Sequence, residues 1–428
     1  MSYKLYKAKN GLNLLHVPNK DVKLIYVNIG VKIGSDIELQ ETLEYSHYIE
    51  HLFTLLTSRK YNDGLKNRNF LSQNNVKLNA FVVKKYTSFK FTIRNKFFNK
   101  FIDMLVNSLY DYYLDEKLFQ NEKTSVVEEL NSIINSNDYK FETFIIKNIY
   151  KKHTREYSEE ERLENVKKTK PENILAFFKK YYTPNNMVLS FYGDVSINNI
   201  LKQINDISPN PTPRMNLYNE SKFIITHKKK VNYLKEHKQT CSLNIIFNIP
   251  FIFFDYKCYN ISAILNILSS DISSILLNRL RNIEGLIYYI TTSMELNETN
   301  KNLSFLYFET NVESSKIVKV IKIIIEELSK LKTSFLDIKL IKRYKDSIKI
   351  KYINDNLTFK PLKLLDNYIK YILWNKNIIK FKDEYVNLGD VDQKKIKFIS
   401  NKIFNFDNMF IFYNGSKNLN TQINKLIP

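Results

Sequence analysis

Two runs near the start of the chain alternate apolar and polar positions. Leu12 to Val17 is the first and Leu24 to Val31 the second. A period of two belongs to strands with one buried face, so the runs predict a strand pair. From Glu41 the period lengthens, and Leu43, His47, His51 and Leu55 recur four residues apart, on one face of a helix. A polar stretch, 59–75, predicts a loop, and 76–93 predicts two strands broken at Lys84-Lys85. Helices are expected over 101–113 and 117–136, and a strand over 187–192 that ends at Gly193-Asp194.

The prolines at 209, 211 and 213 suit neither ladders nor helix interiors, which marks 208–216 as a linker between domains 1–207 and 217–428. Beyond it the order repeats: a strand over 242–249, a long helix over 259–282, strands over 286–294 and 303–309, and a helix over 314–331. Two halves of like size and order suggest an internally duplicated α+β unit.

With 428 residues, 44% of them hydrophobic, the chain can bury more than one core. Two cysteines, Cys241 and Cys258, supply neither a disulfide framework nor paired sulfur ligands, and they read as free thiols. No apolar run reaches membrane-spanning length, and the first residues resemble no leader, so the expectation is a cytoplasmic protein without a membrane partner. The formal charge of +21 raises the possibility of a nucleic-acid partner, but the basic residues are dispersed. A phosphate-tracking surface needs clustered Lys and Arg with interleaved aromatics, and that arrangement is missing from the sequence. A solvated, lysine-rich surface is the simpler reading.

Histidine is scarce, six in all, yet two of them stand in His47-Tyr48-Ile49-Glu50-His51. Residues four apart on a helix lie one above the other, so two imidazoles can converge on one zinc ion. Glu50 beside them is placed to act as a base. A third ligand is expected from Glu122 to Ile134, whose Val126, Val127, Leu130, Ile133 and Ile134 form an apolar face. Glu129 and Glu122 fall at the edge of that face and Glu128 points away from it. Glu129 is therefore the expected ligand, with Glu122 as an acceptor that orients a ligating histidine.

Other segments extend the pattern: Lys9-Asn10-Gly11-Leu12, Gly34-Ser35-Asp36-Ile37-Glu38, Asn79-Ala80-Phe81, Tyr182 to Leu189 running into Gly193-Asp194, and Leu280 to Tyr288. In this order, and with the His-x-x-Glu-His motif, they resemble the pitrilysin/insulinase family of inverzincin metallopeptidases. The likeness is to the half-length branch that includes mitochondrial processing peptidase and bacterial relatives. Two departures bear on substrate preference: Leu268 to Ile275 replaces a glycine-rich stretch, and Val82 stands where threonine is common.

The resemblance implies an α+β chain of two similar α/β-sandwich domains, each a mostly antiparallel sheet with helices on one face, forming half of a clam-shell peptidase. It implies one Zn2+ per chain on His47, His51 and Glu129, with Glu50 as general base for hydrolysis of peptides or unfolded segments. Asn79 and Ala80 would bind substrate as an added strand. Arg281 and Tyr288 would bind it from a facing half, which makes a homodimer or a heterodimer with a related half the expected assembly. The rival reading is a non-catalytic subunit of the same fold.

Overall fold

The computed structural model describes residues 2–151, 153–208, 210, 224–225 and 230–428. Most of the expected linker 208–216 lies outside them. The chain forms two compact units. The first comprises Met1–Tyr139, Lys152–Phe223 and Lys360–Ile379, and the second Lys140–Lys151, Ile224–Phe359 and Lys380–Pro428.

Six strands build the first unit: β1 (Lys4–Lys7), β2 (Asn13–Pro18), β3 (Leu24–Val31), β4 (Lys77–Val82), β5 (Thr87–Arg94) and β6 (Met187–Gly193). They lie side by side in the order β1-β2-β6-β3-β5-β4. The predicted pairing of β2 with β3 is incorrect, because β6 inserts between them, parallel to β2 and antiparallel to β3. Every residue of β6 is buried, so it takes the centre of the sheet, where both faces are covered.

Helices α1 (Tyr45–Phe53), α2 (Gly64–Gln73), α3 (Phe98–Tyr110), α4 (Glu116–Ile134), α5 (Glu159–Lys168) and α6 (Pro171–Tyr181) belong to this unit. Leu52, Phe53, Phe101, Leu105 and Phe178 meet Val27, Ile29, Phe89, Phe91 and Phe191 from the sheet in one core. The expected loop 59–75 contains α2. Asp63 caps that helix by accepting from the Lys66 N–H, and its apolar stripe is too sparse to show a period.

The alternate face of β3 is covered too. Asn28 and Gly30 point there, and the helix Pro361–Leu373 packs on it. A Cβ on Gly30 would sit 2.3 Å from the Ile369 side chain. Asp366 of that helix accepts from Asn28, Tyr86 and Ser88, and Lys90 lies 3.6 Å from it.

The second unit carries β7 (Val231–Lys235), β8 (Thr240–Asn248), β9 (Thr291–Glu295), β10 (Phe305–Glu313) and β11 (Met409–Gly415). Their order is β9-β10-β8-β11-β7, with β11 parallel to β7. This is the first sheet's topology without β1: in each, the last strand enters parallel to the first and separates it from the second. The topology matches the expected duplication. Helix Tyr139–Ile149 lends Phe141 and Ile149 to a cluster with Ile246, Phe305, Phe410 and Phe412 of the second sheet.

The long helix expected over 259–282 breaks after α7 (Cys258–Ser269). Asp271 accepts from the Ser273 N–H at 2.8 Å, a local bond that competes with helical pairing, and the chain resumes as a π-helical turn over Asn278–Ile283. The strand expected over 286–294 is confined to β9. No helix among the described residues is long and apolar enough to cross a membrane.

Candidate metal centre

Helix α1 begins at a buried polar turn. Gly34 precedes it where a Cβ would lie 2.0 Å from the Val83 carbonyl, so only glycine fits. Asp36 is held by two bonds from Arg155, at 2.7 and 2.5 Å. Glu38 accepts the backbone N–H groups of Glu44 and Ser46, at 2.9 and 2.7 Å, and so satisfies donors at the helix start. Burial and the nearby Glu44 charge push Glu38 up to about 7, against the pull of the Ser46 amide and Arg162.

The helix presents His47, Glu50 and His51 together. One ring nitrogen from each histidine and a Glu50 oxygen lie within 4.8 Å of one another. Across from them, α4 brings Glu129, whose two oxygens stand 3.2 Å from His47 Nε2 and 3.6 Å from His51 Nε2. Glu122, two turns earlier on α4, lies 3.4 Å from His51 Nδ1 and accepts from Arg68 at 2.9 Å. Glu128 is exposed.

Glu44 was not among the predicted site residues. Its carboxylate meets His47 Nδ1 at 2.9 Å and accepts from Arg162 of α5 at 2.8 Å. A glutamate three residues before a histidine on a predicted helix was the available signal. It was obscured because Glu44 lies just outside the helix, in left-handed backbone at φ +72°.

Both histidines thus turn Nε2 toward Glu129 and Nδ1 toward another carboxylate, so two ring nitrogens and the Glu129 carboxylate face one point. The surrounding charge favours a cation there. Burial opposes a proton on His47, yet the hydrogen bond and charge of Glu44, with Glu50 and Glu129, raise it to about 9. Burial also raises Glu50 above the ordinary carboxylate range, against the pull of His51 and His47. Two neutral imidazoles and a carboxylate form a zinc ligand set, and the fit is to His47, His51 and Glu129.

The remaining predicted residues lie elsewhere. Asn79 and Ala80 are on β4, an edge strand that among the described residues pairs with β5 alone and that packs against α1. Arg281 and Tyr288 belong to the second unit, where the guanidinium sits 4.6 Å from the centre of the Tyr288 ring and Tyr288 is 75% exposed.

Residues 16–165 match the family model described as Insulinase (Peptidase family M16), and 168–348 match the one described as Peptidase M16 inactive domain. The uncharacterized zinc protease YmxG of Bacillus subtilis is 25% identical over 193 residues, 45% of this chain and 47% of that protein. A putative zinc protease of Schizosaccharomyces pombe, mug138, is 24% identical over 337 residues, covering 76% of this chain and 34% of its own. A probable mitochondrial-processing peptidase subunit beta of Arabidopsis thaliana is 22% identical over 200 residues, 46% of this chain and 36% of its own. The chain spans about half or less of the length of these curated relatives.

Among solved structures, a protease from Helicobacter pylori superposes with a TM-score of 0.79 at 17% identity, covering 96% of this chain and 99% of its own. A peptidase M16 inactive domain from Pseudomonas fluorescens gives 0.79 at 11%, covering 98% and 99%. At these identities the structural likeness establishes the fold.

Proposed function

We propose that this chain, which belongs to the insulinase peptidase family M16, is a zinc-dependent endopeptidase acting on peptides or unfolded segments. The observation that carries the reading is the convergence of His47 Nε2 and His51 Nε2 on the Glu129 carboxylate, while each Nδ1 meets a separate glutamate. His47, His51 and Glu129 would hold the zinc, which when bound would supply a Lewis acid for the scissile carbonyl and for water.

The protein's own groups do the rest. Glu50, half-buried and raised above the usual carboxylate range, takes the proton of the attacking water and passes it to the leaving amine. Edge strand β4, lying against α1, offers Asn79 and Ala80 to an extended peptide, whose backbone bonds place the scissile carbonyl with little demand on sequence. The stacked Arg281 and Tyr288 are offered to substrate from a second chain, so the proposed active unit is a dimer, of like chains or with a related half.

The segment matched to the inactive domain contains none of the proposed ligands, all of which precede residue 165. That match therefore describes the half expected to carry no zinc. The test is hydrolysis of an unfolded peptide by purified protein before and after chelation. Activity that is lost on chelation and restored by one equivalent of zinc supports the reading. Activity indifferent to chelation rejects it.

A further inference from the structure

The two candidate histidine ligands are held by parallel relays of unequal quality. His51 Nδ1 meets Glu122 at 3.4 Å, and Glu122 in turn accepts from Arg68, whose side chain is 56% exposed. His47 Nδ1 meets Glu44 at 2.9 Å, and Glu44 accepts from Arg162, which is buried. Arg162 is itself tied down, donating to the Thr154 carbonyl at 3.0 Å. The second relay is shorter at the histidine and ends on a buried arginine rather than an exposed one.

It also carries a backbone cost. Glu44 stands at φ +72°, in the left-handed region, where a residue other than glycine or asparagine is strained. A helix N-terminus does not require that: a serine or aspartate in extended backbone caps it. Here the capping is done by Glu38, which takes the Glu44 and Ser46 N–H groups, and that frees the Glu44 side chain to turn back over the first helical turn. One oxygen then reaches His47 and the other Arg162.

We propose that Glu44 is the positioning residue for His47: its left-handed backbone aims the carboxylate at Nδ1, which fixes the ring and turns Nε2 toward the metal position. The inference rests on the zinc reading above. It assigns Glu44 a larger share of metal affinity than Glu122, because a carboxylate 2.9 Å from its ring and anchored by a buried arginine restrains that ring more than one 3.4 Å away and anchored by an exposed arginine.

Zinc affinity of the full chain, measured by competition with a chelating dye, tests this together with thermal unfolding of the metal-free protein. Glu44→Gly removes the carboxylate and the backbone cost together, and Glu44→Gln keeps the side-chain length. Each is expected to weaken zinc binding about 10- to 100-fold, as loss of a partner that orients a ligand does. Glu122→Gln is expected to weaken it less. Metal-free Glu44→Gly/Arg162→Met, freed of the buried unpaired cation, is expected to unfold no earlier than Glu44→Gln. If wild type and Glu44→Gly bind zinc within twofold of each other, the inference is overturned and the zinc reading stands. If wild type binds no zinc, both fall.

Discussion

Tyr48 donates its hydroxyl to the backbone carbonyl of Phe119, and the two rings pack with centroids 4.9 Å apart. The contact locks α1 to α4 across 71 residues of sequence, and the proposed ligand set is divided between those helices: His47 and His51 on one, Glu129 on the other. Tyr48→Phe keeps the ring and loses the bond, and is expected to cost about 1 kcal/mol in urea unfolding. Tyr48→Ala removes the packing as well and is expected to cost about 3–5 kcal/mol. Equal unfolding midpoints for wild type and Tyr48→Phe would show that the hydroxyl contributes nothing.

Adjacent glutamates on α4 separate the proposed ligand from its neighbour. Glu129 faces both Nε2 atoms, whereas no ion pair of Glu128 occurs among the described residues. Glu129→Ala is expected to abolish stoichiometric zinc in elemental analysis, and Glu128→Ala to leave it intact. The reverse outcome would transfer the ligand role to Glu128.

The polar turn beneath the site sets a pH dependence. Burial holds His153 down to about 4 from its ordinary 6.5, with Arg155, Lys85 and Lys84 adding to the effect and Asp36 opposing it. Above pH 6.5 neither the folded nor the unfolded chain protonates this ring, and its contribution is whole. Between 6.5 and 4 the unfolded chain takes up the proton and the folded one does not, so up to about 3 kcal/mol is lost as pH falls through that window. Chemical unfolding from pH 7.5 to 4 checks this: His153→Gln should flatten the slope, and an unchanged slope would assign the acid sensitivity elsewhere.

Asp366 ties the helix Pro361–Leu373 to the first sheet through Asn28, Tyr86 and Ser88, beside a Lys90 whose burial favours its neutral form and whose charge Asp366 supports. Asp366→Ala is expected to destabilise the first unit by about 2 kcal/mol. Hydrogen exchange in β3 and β5 reads the effect. Unaltered protection there would mean that the helix holds by its apolar contacts alone.

The convergence of the candidate metal residues was legible because helical geometry is local. Four residues of spacing place His47 over His51, and one apolar face separates Glu129 from Glu128. Duplication showed in the order of elements. What escaped was non-local or atypical. No feature of Leu12 to Val31 announces that a strand beginning at Met187 will separate its two runs. Helix α2 carries Asn67 inward, where a core stripe would be apolar, because its amide donates to the Leu56 and Tyr61 carbonyls. Glu44 escaped because left-handed backbone is read from glycine and asparagine, and here the side chain's bonds to His47 and Arg162 hold a glutamate in it.

The most direct test of the account is peptide hydrolysis by Glu50→Gln beside wild type, with zinc measured in both. Glu50 is proposed to move a proton rather than to hold the metal. The variant should therefore retain one zinc per chain and lose about 10²–10⁴-fold in kcat. A Glu50→Gln protein that retains its zinc and cleaves at the wild-type rate would contradict the account.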